Sequence, residues 1–148
     1  MKKLIMLRGP SGTGKTSIAR HFENEDYLDY FEADLFFESA EGYKFHSSLL
    51  TVAHQWCKAS VEKAMLHESP KLIVSNTSTC LWEIKPYLEL AQKYDYEVEI
   101  LRTPGPWDAE TLFRRNKHGV PLETIQKQIN RYQPHPDESE WTDLTVFE

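Results

Sequence analysis

Eight consecutive residues near the start of the chain constrain its fold more than any other stretch. Gly9-Pro10-Ser11-Gly12-Thr13-Gly14-Lys15-Thr16 matches the pattern GxxxxGK[ST] at every fixed position. The apolar run at 4–7 predicts a buried strand before this motif, and residues 17–22 predict a helix after it. Glycines let backbone N–H groups converge on one anion, and the helix presents the positive end of its dipole there. We therefore expect a strand–loop–helix unit that binds phosphate.

Within this loop, two side chains have distinct expected roles. The amine of Lys15 would reach the β- and γ-phosphates of a nucleotide, and the hydroxyl of Thr16 would hold Mg²⁺. We expect the nucleotide to be bound by the loop and its first following residue: Gly9, Pro10, Ser11, Gly12, Thr13, Gly14, Lys15, Thr16 and Ser17.

Length and composition favour one domain in the cytoplasm. The chain has 148 residues, which suits one hydrophobic core, and no apolar run approaches the roughly 18 residues of a membrane span. Its two cysteines, Cys57 and Cys80, have no metal-ligand spacing and are typical of reduced thiols in a cytosolic protein. The net charge of −6 argues against sequence-independent coating of nucleic acid, although a local basic groove could still bind one strand end.

Predicted strands alternate with predicted helices along the chain. This alternation indicates an α/β fold with a mostly parallel sheet. We predict one domain over 1–132. The acidic tail at 133–148 is either part of that domain or flexible. The expected strands are 3–8, 30–33, 71–76 and 96–101, and the expected helices are 15–24, 46–68, 81–94, 108–117 and one that starts at Pro121.

Polar residues follow two of the predicted strands. Asp34 follows the second strand and 75–79 follow the third, at the sheet edge where ligands of open α/β folds bind. Asp34 is thus a candidate for chemistry, and a solvated turn acid or helix cap is an equal alternative. The aromatic residues Phe36, Phe37, Tyr43 and Phe45 could stack on a base, but packing over the sheet edge is the favoured interpretation for most of them.

A short basic helix follows a Pro/Gly-rich loop at 103–107. It carries Arg114, Arg115 and Lys117. Such a helix can close over the γ-phosphate and stabilise negative charge during phosphoryl transfer. Cations at a helix C-terminus are also favourable without any function, so both interpretations stay open.

Taken together, these residues resemble the polynucleotide-kinase-like P-loop family. That family includes the phage 5′-polynucleotide kinase domain and the related small kinase domains of ubiquitin-ligase-binding proteins. The resemblance covers nearly all of residues 2–132 and rests on the P-loop, Asp34, 75–78, Pro106-Trp107 and Arg115-Asn116-Lys117-His118-Gly119-Val120-Pro121.

The resemblance implies a P-loop kinase domain over 1–132 with a three-layer α/β fold and a C-terminal helical lid at about 103–120. It also implies ATP- and Mg²⁺-dependent phosphorylation of a polynucleotide 5′-hydroxyl. By position, Lys15 and Thr16 would hold ATP and Mg²⁺, Asp34 would be the base, and Arg115 would grip the phosphates in the lid, with Arg114 beside it. Asn116 and His118 would support that lid. Three features depart from the family. Ser75 stands where many relatives carry an acid, and Phe37 stands where the phage enzyme has a substrate-binding arginine. The lid arginine of the phage enzyme falls near His118 or Gly119, so Arg114 or Arg115 would have to serve in its place.

Two other functions fit parts of the same pattern. The acidic overall charge and Phe37 favour a kinase of nucleosides, nucleotides or another small molecule. Ser75 favours a nucleotide-binding interaction module with weak catalysis. The fold class alone does not distinguish among the three.

Overall fold

The sheet at the centre of the molecule has five parallel strands. The computed structural model describes residues 2–25, 28–39, 42–43, 46–117 and 119–148. Strand β1 is central, because it pairs with β5 from Lys3↔Lys71 and with β6 from Lys3↔Glu97. The sheet order is β2-β5-β1-β6-β7. Its strands are β1 (Lys3–Arg8), β2 (Asp29–Phe31), β5 (Lys71–Val74), β6 (Glu97–Arg102) and β7 (Glu138–Glu140).

Helices cover both faces of this sheet. On one face α1 (Lys15–Glu25) packs over Ile5 and Leu7 through Ile18. On the other face, α2 (Leu50–Leu66) and α3 (Leu81–Lys93) pack over the remaining side chains of β1 and β5. Strands buried on both faces have continuous apolar runs, as 4–7 and 72–74 do. The predicted three-layer α/β fold with a mostly parallel sheet is confirmed.

Two shorter helices, α4 (Ala109–Arg115) and α5 (Leu122–Arg131), pack on each other beside the P-loop. Their shared cluster is built around Leu112 and Ile125, with Trp107 against it. Helix α4 lies within the region at about 103–120 that was expected to form the helical lid, and α5 follows that region. In the part of the chain that the structure describes, no helix is long and apolar enough to cross a membrane.

Several element boundaries differ from the sequence expectation. The second strand ends at Phe31, and Ala33–Phe37 is a 3₁₀ helix, so Asp34 lies on that helix. The long helix begins with a separate 3₁₀ turn, Ser47–Leu49. Pro121 is the N-cap of α5 rather than its first helical residue. A small antiparallel pair, β3 (Glu38–Ser39) and β4 (Gly42–Tyr43), was not expected.

The last 16 residues form two elements that the sequence analysis did not predict. Strand β7 pairs in parallel with β6, and a 3₁₀ helix, Leu144–Phe147, contacts α1. An acidic strand such as Glu138–Glu140 lacks apolar alternation because it lies at the sheet edge. The sequence signal for this strand is therefore weak.

Candidate active site

The P-loop connects β1 to α1 and presents several unpaired backbone donors. Gly12 and Gly14 have backbone φ values of +85° and +93°, which residues other than glycine rarely adopt. Among the described residues, no acceptor pairs with the N–H groups of Gly12, Gly14, Lys15 or Thr16. Convergent free donors at a helix N-terminus form an anion site.

Close contacts hold the two glycines in place. A Cβ atom on Gly12 would overlap the carbonyl oxygen of Leu112 in α4, and one on Gly14 would overlap the ring of Phe147. The loop is also held by α5, because the side-chain oxygen of Gln128 accepts a 2.9 Å hydrogen bond from the N–H of Ser11. Gln128 is buried. Segments far apart in sequence therefore enclose the loop on separate sides.

Lys15 folds back over the loop. Its Nζ donates to the carbonyl oxygens of Gly9 at 2.8 Å and Pro10 at 3.0 Å. Desolvation by the surrounding protein lowers the pKa of the Lys15 amine to about 8, although the carboxylates of Glu32 and Asp34 act in the opposite direction. The amine thus lies between the phosphate-binding loop and two carboxylates after β2.

These carboxylates extend into a polar cluster around Tyr30. The Tyr30 hydroxyl donates to Glu32, and it also lies within interaction range of Ser75 and Thr16. Burial, followed by the negative charge of Glu32, raises the pKa of Tyr30. Ser75 is buried, and its hydroxyl has no hydrogen-bond partner among the described residues. Glu32 was not predicted as a site residue, yet its carboxylate accepts from the same Tyr30 hydroxyl that lies within interaction range of Ser75, the serine that stands where relatives carry an acid.

Asn76 positions the 3₁₀ helix that carries Asp34. Its side-chain oxygen accepts a 2.8 Å hydrogen bond from the N–H of Ala33, and its amide nitrogen lies 3.9 Å from Cys57 Sγ. Because Ala33 immediately precedes Asp34, the loop after β5 sets the position of the carboxylate that follows β2.

The basic side chains of α4 face solvent. Arg114 and Arg115 are exposed in its last turn, and Asn116 caps the helix while donating to the carbonyl oxygen of Val120 at 3.2 Å. Asn116 thereby fixes the start of the connection to α5. His118, the other residue expected to support this region, lies outside the described residues.

A buried arginine anchors the C-terminal region beside the P-loop. Arg8 is fully buried, and its guanidinium donates to Glu138 at 2.6 Å and stacks 4.5 Å from the centre of the Tyr132 ring. Its remaining donors reach the carbonyl oxygens of Ser78, Thr79 and Gln133 at 2.9, 3.3 and 2.8 Å. Since Arg8 directly precedes Gly9, this network joins the end of α5 and strand β7 to the root of the loop.

The structure therefore groups many of the expected site residues at one sheet edge. The P-loop, Lys15, Thr16 and Asp34 lie together, whereas Arg114 and Arg115 lie on exposed α4, which touches the loop through Leu112. Of the aromatic residues, Phe37 is buried in the core and Phe36 packs against Trp56, which agrees with the packing interpretation. Phe45 and the side chain of Tyr43 lie outside the described part of the chain.

Sequence reasoning missed three residues that shape the site: Glu32, Gln128 and Phe147. Glu32 carried a usable signal, because it directly follows β2 and lies two residues before Asp34. Gln128 and Phe147 reach the loop from more than a hundred residues away.

Comparisons with known proteins agree with this architecture. Residues 4–135 match the AAA_33 family, described as an AAA domain. NEDD4-binding protein 2 of Homo sapiens is 34% identical over 134 residues, which are 88% of this chain and 8% of that protein. The chain thus spans only a small part of that relative's length.

Two solved structures share the fold at lower identity. One is a chain of the Pnkp1/Rnl/Hen1 RNA repair complex, with a TM-score of 0.70 and 22% identity, covering 97% of this chain and 50% of that chain. The other is the APS kinase CysC of Mycobacterium tuberculosis in complex with AMPPNP and APS, with a TM-score of 0.64 and 14% identity, covering 98% of this chain and 91% of that chain. The chain belongs to the AAA_33 family and has a P-loop kinase-like α/β fold.

Proposed function

We propose that this protein is an ATP-dependent kinase that transfers the γ-phosphate to the 5′-hydroxyl of a polynucleotide. The observation that carries the proposal is the placement of Asp34 and Glu32 close to Lys15 of the P-loop. The phosphate-binding loop and two carboxylates thus interact electrostatically through the Lys15 amine. The kinase-like fold supports phosphotransfer, and the resemblance to polynucleotide kinases suggests the acceptor.

The donor half of the site consists of the P-loop. The unpaired N–H groups of the loop would bind the β- and γ-phosphates, and Lys15 would exchange its carbonyl acceptors for phosphate oxygens. Gly9, Pro10, Ser11, Thr13 and Ser17 complete the expected binding set, with Ser11 held by Gln128.

The oxygen donors beside Thr16 fit a magnesium ion. Mg²⁺ prefers oxygen ligands and keeps several of its waters, so one protein hydroxyl with nearby acceptors suffices. Thr16 supplies the hydroxyl, while the Glu32 carboxylate and the orphaned Ser75 hydroxyl could accept hydrogen bonds from bound waters. The ion would neutralise charge on the phosphates, and no cluster of three or more His, Cys, Asp or Glu among the described residues offers a separate metal site.

Asp34 would act as the base. As its carboxylate takes the proton from the acceptor hydroxyl, that oxygen bonds to the γ-phosphorus and the bond to the β-phosphate oxygen breaks, releasing ADP. Asn76 assists by holding the backbone of Ala33, so that Asp34 keeps its direction.

Helices α4 and α5, with the residues between them, supply positive charge in an otherwise acidic chain. Residues 109–131 contain five Lys or Arg and two acids, whereas the whole chain has a net charge of −6. Arg115, with Arg114 beside it, would reach the transferring phosphate when α4 closes, and the other cations would attract the acceptor's backbone phosphates. This local basic surface is the feature that favours a polyanionic acceptor.

Transfer of labelled phosphate tests the proposal. The protein is incubated with γ-labelled ATP and Mg²⁺ and with matched DNA and RNA oligonucleotides that carry a 5′-hydroxyl or a 5′-phosphate. We expect label on the 5′-hydroxyl strands alone. Asp34→Asn should lower transfer by at least about 100-fold while ATP affinity stays within about twofold, since general base catalysis contributes roughly 10²–10⁴-fold. Absence of transfer beside an active control kinase would contradict a polynucleotide acceptor.

A small-molecule kinase is the second candidate. It is favoured by Phe37, which is buried in the core at the position where the phage enzyme has its substrate-binding arginine. Phosphorylation of a nucleoside or another metabolite, with none of an oligonucleotide, would establish it. ATP binding that Lys15→Ala abolishes, without turnover of any acceptor, would instead indicate a nucleotide-binding interaction module.

The cellular location is also a proposal. Cys57 and Cys80 are free thiols in the structure, and the expected donor is a cytoplasmic nucleotide. We therefore place the protein in the cytoplasm.

A further inference from the structure

The end of the chain crosses the outer face of α1 and arrives at the P-loop. Trp141 packs edge-on against Phe22 with ring centres 5.5 Å apart, and Val146 joins the cluster around Ile18. Asp143 accepts hydrogen bonds from the backbone and hydroxyl of Thr145, which start the last 3₁₀ turn. The position of this turn is therefore fixed by packing and capping.

Phe147 is the residue of this turn that meets the loop. Its ring lies against Gly14 closely enough that a Cβ atom there would overlap it, yet 39% of Phe147 is exposed. The ring touches a carbon of Gly14, whose N–H has no partner among the described residues. An aromatic surface that is partly open to solvent thus borders the phosphate-binding donors.

The position of the Phe147 ring beside the P-loop suggests that it contacts the base of a bound nucleotide. When a nucleoside triphosphate binds the loop through its phosphates, its ribose and base extend beyond the loop. The base then loses contact with water, and stacking on a flat apolar surface compensates for that loss. An aromatic side chain offers such a surface to any base, because every base has a π-face.

We propose that Phe147 forms one wall of a base subsite for the nucleoside triphosphate held by the P-loop. The inference rests on the proposed function only in taking a nucleotide as the loop's ligand. Stacking does not distinguish the hydrogen-bonding groups at the edges of the bases, so we expect Phe147 to bind adenine and guanine equally well.

Binding of ATP and of inorganic tripolyphosphate separates the base from the phosphates. Both ligands are titrated by calorimetry, with Mg²⁺, into the wild type, Phe147→Ala, Phe147→Leu and Phe147→Trp. Phe147→Leu keeps apolar packing against Gly14 without an aromatic face. Leu144→Ala is the matched control, because Leu144 lies in the same turn and is 61% exposed.

We expect Phe147→Ala and Phe147→Leu to weaken ATP binding by about 5- to 100-fold while tripolyphosphate binding stays within about twofold. GTP should lose affinity to the same degree. Phe147→Trp should retain ATP affinity, and ATP but not tripolyphosphate should change the fluorescence of its indole. Leu144→Ala should bind both ligands as the wild type does.

Two results would overturn the subsite. Equal weakening of ATP and tripolyphosphate in Phe147→Leu would mean that the ring only supports the loop, and tighter binding of both would mean that it obstructs the site. Failure of the kinase proposal is distinguishable, because a protein that phosphorylates no acceptor can still show the ATP-specific loss that establishes the subsite.

Discussion

Arg8 and Arg115 are the same kind of side chain in opposite surroundings. Arg8 lies fully buried at the end of β1, where Glu138, three carbonyl oxygens and the Tyr132 ring satisfy its guanidinium. Arg115 lies exposed in the last turn of α4. Both regions adjoin the P-loop, one at its root and the other across it.

The difference in burial suits the two arginines to different roles, a structural one for Arg8 and the proposed contact with phosphate for Arg115. A buried cation with complete hydrogen bonding cannot leave its partners without a large cost, so Arg8 is suited to hold the loop's root and the last strand together. Moving an exposed cation costs little free energy, so the exposure of Arg115 is compatible with its proposed contact with a bound phosphate. Substitutions in the two regions should therefore change different measurements.

The largest expected effect is loss of stability at the buried arginine. Arg8→Met would leave the Glu138 carboxylate buried without its cation, and we expect a loss of about 3–5 kcal/mol in the free energy of unfolding. Urea unfolding measures it. Arg20→Met on the exposed face of α1 is the control and should change stability by less than about 0.5 kcal/mol. Equal midpoints for both variants would refute the structural role of Arg8.

The next largest expected effect is a lower catalytic rate with no change in stability. Arg115→Ala should lower kcat by at least about 100-fold, because an arginine on the transferring phosphate can be worth 10³–10⁵. The urea midpoint should match the wild type. Arg114→Ala shows which of the adjacent arginines reaches the phosphate, and Lys58→Ala on exposed α2 is the control. A normal kcat in both arginine variants would remove α4 from the mechanism.

A smaller effect is expected where α5 meets the loop. Gln128→Leu removes the acceptor of the Ser11 N–H, and leaving a buried donor unpaired costs about 1–3 kcal/mol. We expect ATP affinity, measured by calorimetry, to fall by about 10-fold. Gln128→Glu keeps an acceptor and should recover much of that loss, whereas Gln126→Leu on the exposed face should have no effect. If Gln128→Leu binds ATP normally, the hydrogen bond does not position the loop.

The smallest effect is a proton taken up on nucleotide binding. In the free protein the pKa of Lys15 is about 8, so most of its amines are neutral at pH 8.5. Phosphates stabilise the cation and raise that pKa, so we expect binding of ATP in EDTA at pH 8.5 to take up about 0.7 proton per site. Apparent affinity should weaken as pH rises through 8. Calorimetry in two buffers of different ionisation enthalpy measures the uptake, and identical heats would contradict it.

Prediction from sequence succeeded where the signal was local. The P-loop motif and the apolar runs at 4–7 and 72–74 are patterns of neighbouring residues, and such patterns predict local structure directly. Asp34 follows β2 on a 3₁₀ helix, and parallel strands bring their carboxyl ends together at one sheet edge. Its role as the base stays a prediction, as do those of Thr16 and Arg115.

Prediction failed where the structure depends on distant partners. Arg8 looks like an ordinary cation at a strand end, and only the return of Glu138 to the sheet makes it a buried anchor. The acidic pattern of 137–143 gives no sign of a strand, since its pairing with β6 is made by backbone groups.

The sequence by itself determined the strand–loop–helix unit, the α/β class and the residues expected to touch phosphate. These follow from glycine stereochemistry and hydrophobic periodicity, which act between near neighbours. Only the tertiary structure decided that the Tyr30 hydroxyl interacts with Glu32, Ser75 and Thr16, that Gln128 holds Ser11, and that Phe147 borders Gly14. Such contacts arise when packing of the core brings distant segments together, and no local pattern encodes them.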